Sequence, residues 1–355
     1  MTLTLKQLSR LAGVHPSTVA RVLNDDPRQR VSDEVRERIV ALAREYQYEP
    51  NHIARSLRTK RSSVIGTLIP DIANPFFAVM FRGIEDAMHM RDISVILANT
   101  DDDPARESRG LAMLRGRQVD GVILATARRV DPAIEGLVAS RFPFVMVNRH
   151  TDPIIANAVV PDDYGGAITA VQHLAQLGHK RIAHIFGSQE VSTGFMRYRG
   201  FLDGLAKFGL DADPLLIVQG SYREAGGYQA MKQLLELSDR PTAVFAVNDL
   251  AAAGALRAIH DAGLRAPSDI SVIGFNDLSS VAQTVPSLTT LRLPLHDMGV
   301  MAAERLATIL LGHDMTFEPA IIPVTLVCRD STGPVKTSSR SARSSRTKLP
   351  DTRAM

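Results

Sequence analysis

The stretch ISVILANTDDDPARESRGLAMLRGRQVDGVILA, residues 93–125, contains two apolar runs on either side of a segment with helical spacing near residues 104–117. Runs that are apolar at consecutive positions are typical of parallel strands covered on both faces, and parallel neighbours are usually joined by a helical crossover. The stretch therefore predicts a strand–helix–strand unit within a parallel sheet.

The same alternation of apolar runs and helical segments extends to both sides of this unit. Further runs are VIGTLIP (64–70), FVMVN (144–148), RIAHIF (181–186), LLIV (215–218), AVFAVN (243–248) and ISVIGF (270–275). Because the pattern occurs twice, we predict an α/β core of two doubly wound parallel-sheet lobes, with a ligand in the crevice beyond the carboxyl ends of the strands. The loops after the strands are therefore the candidate site: Asp71–Phe77, Thr126, Asn148, Asn248–Asp249 and Asn276–Asp277.

Length, cysteine content and charge narrow the class of protein. With 355 residues, 45% hydrophobic and 22% charged, the chain is expected to form more than one globular domain rather than a fibrous or disordered protein. One cysteine excludes an intramolecular disulfide framework, and no run suits a membrane span or export signal, so we expect a cytoplasmic protein. The net charge of +3 divides into +5 for residues 1–63, −7 for 64–333 and +5 for 334–355. Two basic ends favour a polyanionic partner, although a solvated surface with a charged tail would divide in the same way.

The first fifty residues predict three short helices. Apolar residues recur at helical spacing on either side of Gly13–Val14, a break that fits only a tight turn, and a third helix starts after Ser32. Pro16 suits the first turn of the second helix, whose polar residues face away from its apolar stripe: Ser17, Thr18, Arg21 and Asn24. Such side chains suit base edges and phosphates in a major groove, so residues 1–50 are expected to form an all-α helix-turn-helix headpiece that binds DNA.

The segment NHIARSLRTKR, residues 51–61, follows the headpiece and can form a short helix that begins at Asn51. A helix of about seven residues is unstable alone in water, so it would need a second copy of itself or nucleic acid as a partner. Paired copies in a minor groove could insert Leu57 between base steps. Residues 51–63 are thus expected to be a hinge helix and linker, with a solvated basic linker as the alternative.

Signatures of catalysis are missing where this architecture would carry them. The chain has no GxxxxGK[ST] phosphate loop, no GxGxxG after a strand and no GxSxG elbow. The ten histidines show no metal-ligand spacing, so we predict neither a metal nor a cofactor. Cys328 lies in the apolar run IIPVTLVC, which predicts a buried and unreactive thiol. We therefore expect a protein that is not an enzyme.

Together these segments resemble the lactose-repressor and galactose-repressor family of bacterial transcription regulators. The resemblance spans residues 2–333, and its marks include LAGVHPSTVARVLN, NHIARSL, IPDIANPFF, HLAQLGHKRIAHIFG, AVNDLAAAGALRAI and PSDISVIGFNDL. It implies a homodimer, in some members a tetramer, that binds a palindromic operator through its headpieces and a small effector between two periplasmic-binding-protein-like lobes. It further implies interlobe crossings near residues 162, 292 and 323. Lobe one would comprise about 64–162 and 293–323, lobe two about 163–292 and 324–333, followed by a disordered basic tail, 334–355.

The pattern and the resemblance together give two sets of candidate contacts. The expected DNA contacts are Thr4, Pro16, Ser17, Thr18, Arg21, Asn24, Asn51, Ala54, Arg55, Leu57 and Arg58. The expected effector contacts are Phe76, Phe77, Thr126, Asn148, Asp162, Thr193, Phe195, Arg197, Tyr222, Asn248 and Asn276.

The expected effector contacts depart from the sugar-binding pattern of the family. Positions that hold an arginine and two carboxylates in many sugar-responsive members carry other residues here: Phe195, Asn148 and Asn276. Thr193 and Arg197 instead match positions that contact the base in purine-responsive members, and Phe77 and Tyr222 match their stacking faces. The effector could therefore be a sugar, a sugar acid, or a planar or anionic metabolite with Arg197 as its partner.

The resulting prediction is a sequence-specific DNA-binding transcriptional regulator, expected to be a repressor, whose operator affinity the effector controls. An effector that favours a disordered hinge would be an inducer, and one that favours an ordered hinge a corepressor. The alternative is a solute-binding protein for a small metabolite, which shares the two-lobed core but predicts an export signal and no headpiece.

Overall fold

The computed structural model describes residues 3–23, 31–48, 61–154, 157–312 and 318–335. The chain divides into two compact units, one of Met1–Val64 with Gln118–Asp120 and one of Ile65–Arg117 with Gly121–Met355. Most of the predicted hinge and of the basic tail, residues 51–60 and 336–355, lies outside the described residues.

The first unit contains three described helices around a small apolar core. These helices are α1 (Leu5–Leu11), α2 (Pro16–Leu23) and α3 (Asp33–Glu45). Gly13, between α1 and α2, has a φ of 65°, a conformation that glycine adopts without strain, so the chain can turn sharply there. The side chains that the helices bury against one another are Leu8, Ala12, Val19, Val22 and Ile39. The predicted helix-turn-helix is confirmed.

The second unit contains two six-stranded sheets. The strands of the first are β1 (Val64–Ile69), β2 (Ser94–Asn99), β3 (Gly121–Leu124), β4 (Phe144–Val147), β5 (Ala158–Pro161) and β11 (Ala320–Ile322), in the spatial order β11-β5-β4-β3-β1-β2. Those of the second are β6 (Ile182–Phe186), β7 (Ile217–Gln219), β8 (Ala243–Ala246), β9 (Ser271–Asn276), β10 (Thr289–Arg292) and β12 (Thr325–Val327), in the order β12-β10-β9-β8-β6-β7. In the first sheet the neighbours in the row β1-β3-β4-β5-β11 pair in parallel. In the second sheet the neighbours in the row β7-β6-β8-β9-β10 pair in parallel, whereas β12 runs antiparallel to β10.

Eight described α-helices alternate with these strands. They are α4 (Pro75–His89), α5 (Pro104–Gly116), α6 (Pro132–Ala139), α7 (Asp163–Gln176), α8 (Ser192–Lys207), α9 (Glu224–Leu235), α10 (Asp249–Asp261) and α11 (Leu295–Leu310). Asn and Asp side chains cap several of their first turns at the carboxyl ends of strands; Asn74, for example, accepts from the Phe76 amide at the start of α4. The predicted α/β class with two doubly wound lobes is confirmed.

The chain passes between the two sheets three times within the described residues, after Pro161, after Arg292 and after Ile322. We call the first sheet with its helices lobe one and the second sheet with its helices lobe two. The chain leaves lobe one from β5 and β11, at one edge of its sheet, and leaves lobe two from β10, which lies next to the edge strand β12. Strands β2 and β7 therefore lie at the edges opposite the crossings.

The prediction of a buried thiol at Cys328 is wrong. Cys328 is exposed, and its Sγ lies 3.9 Å from Nδ1 of His173. The preceding strand β12 is the edge strand of its sheet, so only one side of it has a strand neighbour. An apolar run on an edge strand does not have to be buried, and the run by itself does not reveal which position the strand takes.

Helices α4 and α11 approach each other closely through two glycines. A Cβ atom on Gly83 would lie 2.1 Å from the carbonyl oxygen of His296, and one on Gly299 would lie 2.1 Å from that of Met80. Any side chain at either position would push backbone against backbone, so the spacing of these helices depends on glycine.

We expect Gly83→Ala to lower the free energy of unfolding by about 2 to 4 kcal/mol, because α4 and α11 must separate to admit the methyl group. Gly136→Ala in α6 is the matched control, since no atom lies within 4 Å of its Cβ position. Alanine is a better helix former than glycine, so the free energy of unfolding of the control variant should rise by up to about 1 kcal/mol. Urea unfolding followed by circular dichroism measures both. Equal stability of the Gly83 variant and the unsubstituted protein would contradict the prediction.

Candidate functional site

The polar face of α2 is the described part of the expected DNA surface. Ser17 and Arg21 are exposed on it, Pro16 and Thr18 are half-buried, and the opposite face buries Val19 and Val22. His15 supports this face, because its Nδ1 lies 2.7 Å from Oγ of Ser17. Hydroxyl and guanidinium donors on one side of a rigid helix can reach base edges and phosphates together.

The other expected DNA contacts are placed only in part. The Thr4 hydroxyl caps α1: it accepts from the Gln7 amide and donates to Oε1 of Gln7 at 2.8 Å, so its first role is to fix the start of the helix. The remaining expected contacts lie outside the described residues: Asn24, Asn51, Ala54, Arg55, Leu57 and Arg58.

A cavity of about 850 Å³ lies between the two lobes of the second unit. Its walls are formed by the segments that follow β1, β2 and β4 in lobe one and β6, β7, β8 and β9 in lobe two. These segments are the carboxyl ends of parallel strands, where open α/β sheets bind their ligands. The volume suits a small organic molecule.

Eight of the eleven expected effector contacts line this cavity and three do not. Those that line it are Phe76, Phe77, Asn148, Thr193, Arg197, Tyr222, Asn248 and Asn276. Thr126 donates its hydroxyl to the buried carboxylate of Glu107 instead. Asp162 caps α7 by accepting from the Gly165 amide at 2.8 Å, and the Phe195 ring lies 3.6 Å from the Arg129 guanidinium. Thr126 and Asp162 therefore have local structural roles, whereas Phe195 contacts Arg129 across the two lobes.

Two asparagines present unused acceptors at the cavity. The Oδ1 atoms of Asn148 and Asn276 are buried and have no hydrogen-bond partner among the described residues. Both residues also have a positive φ: asparagine tolerates the left-handed value of 66° at Asn148, whereas the 126° at Asn276 lies outside that region and is strained for a residue other than glycine. A buried acceptor without a donor is costly, and backbone strain persists where the surrounding structure enforces it. Both features point to hydroxyl or amine donors on a ligand.

The aromatic wall of the cavity is held in place by polar contacts at its back. Phe76 and Phe77 meet edge to face, with ring centroids 4.9 Å apart. The Tyr222 hydroxyl lies 3.1 Å from Oγ1 of Thr193, and Nδ2 of Asn248 donates to the Tyr222 carbonyl at 2.9 Å. Asn248 thus positions Tyr222, and the three rings offer apolar faces to a ligand.

Each arginine that lines the cavity has a carboxylate partner. The closest nitrogen–oxygen distances are 2.6 Å for Arg149 with Asp102, 2.7 Å for Arg197 with Asp163 and 3.0 Å for Arg223 with Asp71. Arg197 also donates to the Val247 carbonyl at 2.5 Å, and its guanidinium lies 3.8 Å from the Phe275 ring centroid. We expected Arg197 to bind the charge of an anionic ligand, but its guanidinium group is already engaged by protein groups.

The pair of Asp71 and Arg223 joins the two lobes. Asp71 follows β1 of lobe one, and Arg223 follows β7, the strand of lobe two farthest from the crossings. A second interlobe contact pairs Nη1 of Arg128 with Oε2 of Glu190 at 2.9 Å, beside a backbone bond from the Arg129 amide to the Glu190 carbonyl. Both contacts bridge the space between the lobes.

Of the charged residues at this site, sequence reasoning found Arg197 but missed Arg149, Arg223 and Asp102. Asp71 falls in a loop that the pattern had singled out, and Arg149 directly follows Asn148. Asp102 lies in the run DDD after β2, and Arg223 adjoins Tyr222. Their positions after strands could thus have identified these residues from the sequence. The pairing of Asp102 with Arg149 could not have been identified, because the two are 47 residues apart.

Neither a metal centre nor a membrane span is found within the described part of the chain. No group of three or more His, Cys, Asp or Glu side chains there is arranged to hold a metal ion. No helix in those ranges has both the length and the apolar character needed to cross a bilayer.

Two family models match this chain. Residues 4–51 match the model described as "Bacterial regulatory proteins, lacI family", and residues 171–332 match the "Periplasmic binding protein-like domain". The HTH-type transcriptional regulator DegA of Bacillus subtilis is 31% identical over 340 residues, which cover 95% of this chain and all of that regulator.

Solved structures agree with these matches. The lac repressor dimer bound to operator and the anti-inducer ONPF superposes with a TM-score of 0.84 at 28% identity, covering 94% of this chain and all of the repressor chain. A LacI family transcriptional regulator from Enterococcus faecium with bound ribose has a TM-score of 0.70 at 33% identity, covering 77% of this chain and all of the other.

Two ion pairs of the cavity should contribute differently to stability, because the arginine of one is buried and the arginine of the other is exposed. The Arg149 side chain is 4% exposed; burial opposes ionisation of Asp102, but the surrounding guanidinium groups, Arg149 first among them, together outweigh burial and lower the Asp102 pKa. The Asp102 side chain is 46% exposed, so water screens part of the pair; Asp102→Asn, which leaves the buried guanidinium without its counter-charge, should cost about 2 kcal/mol of unfolding free energy. Asp71→Asn likewise removes the negative charge that faces Arg223. Because Arg223 is 67% exposed, this substitution should lower the free energy of unfolding by less than about 1 kcal/mol. Urea unfolding compares the two variants, and similar losses would refute the distinction.

Proposed function

Because the chain belongs to the LacI family of bacterial transcription regulators, we propose that a neutral sugar bound between its lobes controls its binding to operator DNA. The chain is a DNA-binding transcriptional regulator with a LacI headpiece and a periplasmic-binding-protein-like core. The proposal adds the chemical class of the effector and the way in which its binding reaches the DNA.

We infer a neutral ligand because each arginine of the cavity is already paired with a carboxylate. A sugar acid, a phosphate ester or another anion would have to enter a cavity in which Arg149, Arg197 and Arg223 already contact carboxylates. Bringing an anion there means desolvating it beside those carboxylates without a free counter-charge. A neutral polyol avoids this penalty.

The remaining walls suit the two faces of a sugar ring. The hydroxyl groups can donate to Oδ1 of Asn148 and of Asn276, which have no other donor among the described residues. The apolar C–H face can pack against Phe76, Phe77 or Tyr222. The ribose in the Enterococcus faecium neighbour supports the same class of ligand.

We further propose that two copies of the chain act together as a homodimer. A pair of headpieces places two copies of α2 in successive major grooves, which requires a palindromic operator. The lac repressor neighbour is a dimer bound to operator. Because binding is linked, an effector that changes operator affinity has its own affinity changed by the operator to the same extent, a coupling of about 1 to 3 kcal/mol.

This role is that of a non-enzymatic switch in the cytoplasm, where the chromosomal operator lies. The alternative of a solute-binding protein accounts for the two lobes but not for residues 4–51, which match the LacI headpiece. The regulator is therefore the function that both the headpiece and the two lobes support.

The effector class can be tested by calorimetric titration and thermal unfolding with a fixed panel of compounds. We expect D-ribose, cellobiose or another neutral sugar of the panel to bind and to raise the unfolding temperature. A ligand at a hundred times its dissociation constant should add about 2.7 kcal/mol. Ribose 5-phosphate, gluconate and hypoxanthine serve as the anionic and planar controls. Tight binding of one of these controls in place of every neutral sugar would refute the proposal.

The DNA surface can be tested with Arg21→Ala and a matched variant, Arg44→Ala, which removes the same charge from the exposed face of α3. If Arg21 reads bases, its loss should weaken binding to an operator selected from random duplexes by about ten- to hundredfold. Binding to unselected DNA should weaken by a similar small factor in both variants. Gel-shift titrations measure both affinities. Equal effects of the two substitutions on the operator would show that Arg21 contributes charge alone.

A further inference from the structure

The loop Asn276–Leu278 at the end of β9 has a positive φ at two consecutive positions. The φ angles of Asn276 and Asp277 are 126° and 59°, and neither residue is a glycine. The value at Asn276 lies outside the left-handed region that Asn and Asp tolerate; such a conformation costs of order 1 to 3 kcal/mol and persists only where the surrounding structure enforces it. Some interaction must therefore hold this loop.

Asp277 provides one such interaction through two arginines. Nε of Arg292 donates to Oδ2 of Asp277 at 2.6 Å, and Nη2 of Arg329 donates to Oδ1 at 2.5 Å. The Asp277 side chain is 8% exposed, so both bonds are shielded on the carboxylate side. Arg329 is itself fixed, because its Nη1 donates to the Leu288 carbonyl at 2.7 Å. We call these three side chains the Asp277 clamp.

The far end of the loop is held by a second carboxylate. The Leu278 amide donates to Oδ2 of Asp249 at 2.7 Å, and the Thr290 hydroxyl donates to Oδ1 of the same carboxylate at 2.5 Å. Asp249 has no exposed surface and follows Asn248, which lines the cavity. The residues on the carboxyl side of Asn276 are thus anchored at two successive positions.

These anchors fix the point from which the Asn276 side chain reaches the cavity. Its Oδ1 is buried at the cavity and has no partner in the described ranges, although a mobile loop would turn to satisfy it. Asp277 and Leu278 hold the backbone on the carboxyl side of Asn276, and the pairing of β9 with β10 holds Asn276 itself opposite Arg292. The Asn276 side chain therefore projects from a fixed point in the cavity wall.

We propose that Asp277 is a positioning residue that, through Arg292 and Arg329, holds the Asn276 carboxamide ready for the effector and so sets effector affinity. The proposal rests on the proposed effector site, but it concerns a side chain that does not line the cavity. Pre-organised acceptors bind more tightly because the ordering has been completed before the ligand arrives.

The test uses Asp277→Asn in the full-length protein, since asparagine keeps the shape and tolerates a positive φ but loses the charge that both arginines bind. Asp86→Asn is the matched control, because Asp86 also has two basic partners, Arg82 and His296, on α4 and α11 away from the cavity. Arg292→Gln removes one of the two arginines of the Asp277 clamp. This variant is used for the same measurements if Asp277→Asn does not fold.

Two measurements separate a positioning role from a general loss of structure. Calorimetry gives the affinity for D-ribose in the unsubstituted background and in Asn276→Gly, where glycine accepts the backbone conformation. If Asp277 acts through Asn276, Asp277→Asn should weaken binding about tenfold in the first background and about twofold or less in the second. Hydrogen exchange of the Leu278 amide, without ligand, should become roughly tenfold faster in Asp277→Asn and stay unchanged in Asp86→Asn.

Each outcome decides the proposal. Unchanged exchange, or equal losses of affinity in both backgrounds, would overturn the positioning role. If D-ribose does not bind the unsubstituted protein, the choice of this sugar in the proposed function is wrong, and the exchange of the Leu278 amide still decides the Asp277 clamp. Faster exchange would then support it, and unchanged exchange would overturn it.

Discussion

The parallel pairing of strands in both lobes is the constraint on which the functional site depends. Parallel strands end at the same edge of their sheet, so the loops that follow them lie together. In this protein the carboxyl ends of both sheets border one cavity, which collects side chains from seven strand ends. Residues as far apart in sequence as Phe77 and Asn276 line the same cavity for this reason.

Charge compensation then decides what the cavity can bind. Arginines inside a cavity would ordinarily indicate an anionic ligand, but Arg149, Arg197 and Arg223 are each engaged by an aspartate. With the arginines engaged, the wall offers a ligand the Oδ1 atoms of Asn148 and Asn276, which have no partner among the described residues, and its aromatic rings. An arginine in a binding site therefore indicates ligand charge only after its protein partners are known.

How much of the site the sequence predicts depends on how local each signal is. Asn148, Asn248 and Asn276 were found because each directly ends or follows an apolar strand, and position after a strand is a local property. Thr126 and Asp162 carry the same signal but serve Glu107 and the first turn of α7. Cys328 shows the converse error, since an apolar run on an edge strand leaves it exposed. Local pattern locates strand ends, but it does not determine which partner a side chain at that end finds.

The sequence by itself determined the helix-turn-helix, the two parallel-sheet lobes and the family, because periodicity, turn residues and collinear motifs are all local. Only the tertiary structure decided that Arg197 belongs to Asp163, that Asp71 and Arg223 bridge the lobes, and that Asp277 lies between Arg292 and Arg329. Hydrogen bonds and ion pairs act over a few ångströms, and the partners here are 15 to 152 residues apart along the chain. The chemical character of the site follows from those distances in space.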